Sequence, residues 1–125
     1  MVFDWAEYLI LAEELALRRD NEAALRSAVS RAYYAAFCKA RNRLRQEGVD
    51  IPKTGAAHAI VWSTYREATE VLHRQIGNAG DRLRRSRNKA DYDDEVTRLA
   101  TVVEDALAKA KRVLESLENL NHEEK

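Results

Sequence analysis

The sequence predicts an all-α fold, an up-and-down four-helix bundle with one additional short helix. Composition indicates helices, because the 125 residues include 20 alanines but only four glycines and one proline, the two residue types that interrupt a helix. Spacing indicates them too, since apolar residues recur every three or four positions and no alternating pattern of the strand type is present. We predict one domain over residues 1–121 and a flexible tail over 122–125.

The first two helices are predicted over residues 4–19 and 21–47. Asp4 and Glu7 have the spacing of a capping box, so the first helix is expected to begin at Asp4. Asp20 or Asn21 is expected to cap the second helix, and Gly48 to end it. The segment after Gly48 contains the single proline and is predicted to be an interhelix loop.

The second half of the chain is predicted to hold three helices. The third spans 56–76 and ends at Gly77, after which 78–81 reads as a turn. A short basic helix follows over 81–88. The last helix spans 93–120, where acidic residues at 93–95 suit the positive end of its dipole.

Composition also excludes several classes of protein. Apolar residues make up 46% and charged residues 34%, which indicates a soluble globular domain. The longest run without a charge, 54–65, is shorter than the ~20 residues of a spanning helix, and the acidic N-terminus is unlike a signal peptide. We therefore expect a cytoplasmic protein with no membrane contact. The single cysteine, Cys38, excludes an internal disulfide, and neither a metal site nor a cofactor is predicted.

The net charge of zero conceals an uneven distribution of charge. Segment 18–47 has eight basic and three acidic residues, 74–89 has six basic and one acidic, and 91–125 has ten acidic and five basic. Clustered basic side chains suit phosphate or an acidic partner. Equally, these arginines could solvate an outer helix face and pair with the acidic tail.

Two stretches of the sequence contain unusual groups of polar side chains. The first, 30–37, includes Ser30, Arg31, Tyr33 and Tyr34 among alanines, with the hydroxyls on one side of the helix. The second, 84–93, offers three arginines followed by Asp91 and Tyr92. Buried phenols need polar partners, so the two stretches are expected to meet. One interpretation is a functional site, and the other is a structural network that fixes helix register.

Together with a third motif, these stretches resemble the HEPN family of helical bundle proteins. The matching motifs are Ser30-Arg31-Ala32-Tyr33-Tyr34-Ala35, Gly55-Ala56-Ala57-His58 and Arg87-Asn88-Lys89-Ala90-Asp91-Tyr92. The resemblance implies a bundle of four to five helices that dimerises and a frequent pairing with a minimal nucleotidyltransferase in toxin–antitoxin-like systems. In many members it also implies metal-independent RNA cleavage.

The sequence departs from the nuclease members of that family. They use an arginine followed after four to six residues by a histidine, whereas the corresponding positions here hold residues 89–93, none of which is a histidine. An aspartate beside arginines is a poor proton acceptor, so efficient cleavage is not expected. In some family toxins a tyrosine just past the histidine is adenylylated, and the resemblance makes Tyr92 the corresponding candidate here.

Three groups of candidate site residues result. The catalytic candidates are Arg87, Asp91 and Tyr92; the nucleic-acid-binding candidates are Arg82, Arg84, Arg85, Arg87 and Lys89; the supporting candidates are Ser30, Arg31, Tyr33, Tyr34 and His58.

Three functional hypotheses remain open. The first is a homodimeric component of a toxin–antitoxin-like or defence pair that binds RNA or a nucleotide through its arginine-rich segment. The second is a non-catalytic interaction module that docks a minimal nucleotidyltransferase. The third is small-ligand binding between helices.

Overall fold

A computed structural model describes residues 1–123, with side chains described for 1–122, and it contains five helices. They are α1 (Glu7–Ala16), α2 (Glu22–Gln46), α3 (Ala56–Arg66), α4 (Val71–Tyr92) and α5 (Leu99–Glu123). Within this described range the chain forms no β-strand. The predicted all-α bundle of four helices plus one is therefore confirmed.

Helix α2 is the centre of the bundle, since it packs against each of the other four helices. Its buried side is built largely from alanines, which let the neighbouring helices approach closely, and from Val29, Tyr33 and Phe37. Helix α5 covers it with an apolar stripe at three- and four-residue spacing, including Val103, Ala106, Ala110, Val113 and Leu117. The polar stretch at 30–37 therefore lies in the most enclosed helix.

Both predicted ends of α2 are confirmed, whereas the start of α1 differs. The Asn21 Oδ1 accepts a hydrogen bond from the Ala24 N–H at 3.0 Å, and Gly48 has φ +87°, a left-handed conformation that favours glycine. Helix α1 begins at Glu7 rather than Asp4, because the N–H groups of residues 7–9 donate to the carbonyl oxygens three positions back, at 3.0 Å, which is not the α-helical pattern. The Asp4 carboxylate caps this turn by accepting from the Ala6 N–H at 3.0 Å, and it also pairs with Lys39 at 2.9 Å.

The predicted third helix and the short basic helix are both wrong in extent. Helix α3 ends at Arg66, and α4 then runs without interruption through the predicted turn at 78–81. Gly77 and Gly80 do not break α4; they let it approach α3. A Cβ atom at Gly80 would overlap the buried Trp62 indole, and one at Gly77 would lie 2.5 Å from the Arg66 backbone nitrogen.

The link between α4 and α5 also differs from the prediction. Asp93 is the C-cap of α4, not the start of the last helix, and α5 begins at Leu99 after Arg98, which has φ +54°. Helix α5 continues to Glu123, so the first two residues of the predicted tail at 122–125 are helical. The remaining two residues of that predicted tail, 124–125, lie outside the described range.

Among residues 1–123, no helix combines the length and the apolar character that crossing a membrane requires.

Candidate nucleic-acid interface

The two polar stretches meet between α2 and α4, as the sequence predicted. The Arg87 guanidinium donates from Nη2 to the Tyr34 hydroxyl at 2.6 Å and from Nε to Asp91 Oδ2 at 2.9 Å. The Ser30 hydroxyl donates to the same carboxylate oxygen at 3.4 Å. The Arg87 side chain is only 14% exposed, so this network ties the end of α4 to the middle of α2.

A second chain of hydrogen bonds brings His58 of α3 to the same place. The Trp62 indole N–H donates to the Tyr33 hydroxyl at 3.1 Å, and that hydroxyl lies 2.6 Å from His58 Nδ1. Tyr33 is completely buried, and among residues 1–122 its hydroxyl hydrogen has no acceptor other than His58 Nδ1, so we assign that hydrogen to the bond with Nδ1 and the imidazole proton to Nε2. The imidazole also stacks on Phe37, with ring centroids 4.2 Å apart.

The surroundings keep this imidazole neutral. Burial, together with the positive charges of Arg87 and Arg84, lowers the pKa of His58 from 6.5 to about 4. Burial also raises the pKa of the Tyr33 hydroxyl far above its usual value, so the phenol stays protonated. At neutral pH the Nε2–H is therefore a hydrogen-bond donor and the ring carries no charge.

Arg84 is the most available cation of the cluster. Its side chain is half-buried and lies close enough to His58 and Tyr33 for its charge to affect both groups. Within residues 1–122 it has neither a hydrogen-bond acceptor nor a carboxylate partner. Arg85, the next residue, differs, since its guanidinium pairs with Asp81 at 2.9 Å. We use the name "His58 site" for Tyr33, Tyr34, His58, Arg84 and Arg87.

The structure brings together most, but not all, of the predicted site residues. Arg31 joins the cluster, with its guanidinium carbon 5.3 Å from the Tyr34 ring centroid. Tyr92 lies at the edge, 73% exposed, with its ring 5.9 Å from the Arg87 guanidinium. Three of the predicted nucleic-acid-binding residues are exposed and lie on other sides of α4: Arg82, Arg85 and Lys89. Arg82, for example, is about 200° around the helix from Arg84.

The role of Arg26 was not predicted from the sequence. Its guanidinium donates to the carbonyl oxygens of Ala90 at 3.1 Å, Asp93 at 2.5 Å and Asp94 at 3.1 Å. These bonds satisfy carbonyl groups at and beyond the end of α4, and they hold the segment that carries Asp91 and Tyr92. No local motif marks such an arginine, because its acceptors are backbone atoms more than 60 positions away.

The chemistry of the His58 site favours an anion. Arg84, the unused N–H groups of Arg87 and the His58 Nε2–H are donors, and the one carboxylate of the cluster, Asp91, is occupied by Arg87 and Ser30. Phosphate oxygens would supply the missing acceptors. Among the side chains described, no group of three or more His, Cys, Asp or Glu is arranged to hold a metal ion.

One of three comparisons with known proteins identifies the family of this chain. No curated protein and no solved structure matches the chain. The family model described as HEPN domain matches residues 6–120, almost the whole chain. This five-helix chain is therefore a member of the HEPN domain family.

Proposed function

We propose that this HEPN protein binds single-stranded RNA through the His58 site and does not cleave it efficiently. The observation that carries the proposal is the half-buried Arg84, which has no carboxylate or hydrogen-bond partner among residues 1–122 and lies close enough to the neutral His58 imidazole for its charge to act on that ring. A cation that is partly removed from water and not paired within the chain favours an anionic ligand.

RNA is favoured over an isolated phosphate by the composition of the surroundings. Aromatic rings from Tyr34 and Phe37 border the arginines, and Arg31 and Arg87 lie over the Tyr34 ring at 5.3 and 5.1 Å. Single-stranded nucleic acid is bound by this combination, in which cations contact the phosphates and aromatic rings stack on the bases.

Efficient cleavage is not expected, because the site lacks a group that exchanges protons near neutrality. His58 Nδ1 already accepts the Tyr33 hydrogen, and with a pKa of about 4 the ring is not an imidazolium at pH 7. Asp91 is held by Arg87 and Ser30. General acid–base help, typically worth about 10²- to 10⁴-fold, would therefore be missing.

The proposal includes a biological setting, which rests on the family resemblance. We propose that the protein forms a homodimer and pairs with a minimal nucleotidyltransferase in a toxin–antitoxin-like or defence system. A second candidate function, a pure interaction module for that partner, is favoured by one observation. Each of the three Arg87 nitrogens already donates to an acceptor within the chain, as it would in a structural network.

The test compares two arginines two residues apart on α4. We expect Arg84→Ala to weaken the binding of an unstructured RNA and to lower the slope of log affinity against log salt by about 0.7, the value for one phosphate contact on a single strand. Arg82→Ala is the matched control, because Arg82 is exposed on the far side of the same helix. Fluorescence anisotropy with a labelled oligonucleotide measures both quantities.

Two results would contradict the proposal. Wild-type protein that binds no RNA at low salt would leave the interaction module as the better function. Equal effects of Arg84→Ala and Arg82→Ala would show that binding is a diffuse charge effect and does not use the His58 site.

A further inference from the structure

A groove between α1 and α2 adjoins the His58 site and combines rings with unpaired arginines. It is lined by Trp5, Tyr8, Arg31, Tyr34, Phe37 and Arg41. Two of these residues also belong to the neighbourhood of His58: the Tyr34 hydroxyl accepts from Arg87, and the Phe37 ring stacks on the imidazole. The groove and the His58 site therefore form one continuous surface.

Rings and guanidinium groups alternate along this groove. The Arg31 guanidinium lies over Tyr8 at 4.7 Å and Tyr34 at 5.3 Å, and Arg41 lies over Trp5 at 5.6 Å and Phe37 at 5.9 Å. Bases stack on aromatic rings and also on guanidinium planes. Phe37 is buried, so the stacking surfaces of this groove belong to its half-buried rings and to the two guanidinium groups.

The charge of the groove is not balanced within the chain. Arg31 and Arg41 are half-buried, and neither has a carboxylate partner among the described side chains. The only hydrogen bond that the Arg41 guanidinium makes there is with the Asn42 side chain, at 3.0 Å. Lys39, by contrast, pairs with Asp4 at 2.9 Å. Two cations without carboxylate partners, beside half-buried aromatic rings, complement a ligand that has both phosphates and bases.

We propose that the groove between α1 and α2 is a second binding site for single-stranded RNA, which holds the nucleotides next to those bound at the His58 site. Bases stack against the half-buried Trp5 and Tyr8 rings, and phosphates contact Arg31 and Arg41. The inference rests on the proposed function, because it extends the same strand from one site to the other.

The tryptophans of the chain allow a direct test. Trp62 is completely buried in the core, whereas Trp5 is only half-buried in the groove, so a base bound there quenches Trp5 alone. We expect quenching by an oligonucleotide of about eight nucleotides, which is long enough to span both sites. The quenching should disappear in Trp5→Phe, and also with an abasic oligonucleotide that keeps the phosphates and lacks the bases.

Affinity measurements separate the groove from the His58 site. Arg41→Ala is expected to weaken the binding of the long oligonucleotide by about tenfold, with little effect on the binding of a dinucleotide that fills the His58 site alone. Arg84→Ala is expected to weaken the binding of both ligands. Arg18→Ala, an exposed arginine outside the groove, is the matched control and should change neither. Far-UV circular dichroism checks that each variant retains its helices.

The outcomes distinguish the two proposals. If Arg84→Ala weakens binding while Trp5 is not quenched and Arg41→Ala has no effect, the groove is not an RNA site and the His58 site stands. If Trp5 is quenched and Arg84→Ala has no effect, the groove binds RNA and the proposed function of the His58 site fails. Trp5 emission that changes with protein concentration alone would assign the groove to a second copy of the chain and overturn the inference.

Discussion

The chemistry of His58 depends on side chains from three helices. Tyr33 on α2 determines which ring nitrogen carries the proton, and Arg84 and Arg87 on α4 disfavour the charged form of the ring. A histidine with no such neighbours would be partly charged near neutrality. Here the side chain is instead a neutral donor, and the positive charge of the site belongs to the arginines.

The low pKa of His58 predicts a pH dependence of stability. Between about pH 6.5 and about pH 4 the unfolded chain binds a proton at His58 that the folded chain does not, so the free energy of unfolding falls as the pH falls through this range. We expect His58→Asn, whose side-chain oxygen can accept from Tyr33, to lose this contribution. Urea unfolding of both proteins at neutral pH and at about pH 5 measures the difference.

A second measurement tests the low pKa of His58 directly, without contributions from the other side chains that titrate in this pH range. Arg84→Ala removes one of the two charges and is expected to raise the pKa of His58 towards 6.5, which an NMR titration of the imidazole reports directly. An imidazole that titrates near 6.5 in the folded wild-type protein would contradict the arrangement of charges described for the His58 site.

At the level of helices, α4 depends on two glycines that resemble turn residues in the sequence. Gly80 faces the Trp62 indole, and Gly77 faces the backbone at Arg66. The turn propensity of glycine predicted a break in the helix at residues 77–81. The helix continues there instead, because the two glycines let α4 pack closely against α3. The caps of α2 were predictable because Asn21 and Gly48 act on their own backbone, whereas the limits of α3 and α4 depend on tertiary contacts.

Replacing Gly80 by alanine tests the packing of these two helices. The added methyl group would overlap the rigid, buried Trp62, so we expect a loss of about 1–3 kcal/mol in the free energy of unfolding despite the better helix propensity of alanine. Gly55→Ala is the matched control, because its Cβ would meet no atom within 4 Å. Similar urea midpoints for the two variants would show that α3 and α4 are not in close contact at Gly80.

At the level of the whole molecule, the sequence predicted the bundle and the meeting of α2 with α4. Buried alanines and two polar stretches on facing helices were sufficient for that. It did not predict that His58 and Arg84 are neighbours, because they belong to different helices 26 positions apart. The separation of Arg82 from Arg84 follows from the geometry of the predicted helix over 81–88, whereas that of Lys89 required the true limits of α4.

The prediction for the whole molecule concerns its association into a dimer. Tyr92 and Val71 are large exposed side chains at opposite ends of α4, about 30 Å apart along the helix. If two copies associate around the ends of α4 that carry the arginines, Tyr92→Ser should shift the protein towards monomer, and Val71→Ser should not. Sedimentation equilibrium at micromolar concentration measures this, and a wild-type monomer would remove the proposed dimer.

The bonds from Arg26 to the end of α4 have a consequence for local unfolding. Arg26 belongs to the first turns of α2, so the carbonyl groups of residues 90, 93 and 94 lose the N–H donors of Arg26 whenever that part of α2 opens. We therefore expect the two segments, although far apart in the chain, to open together and their amide hydrogens to exchange with solvent as one cooperative unit. A ligand that orders the end of α4 would therefore slow exchange at the start of α2 as well.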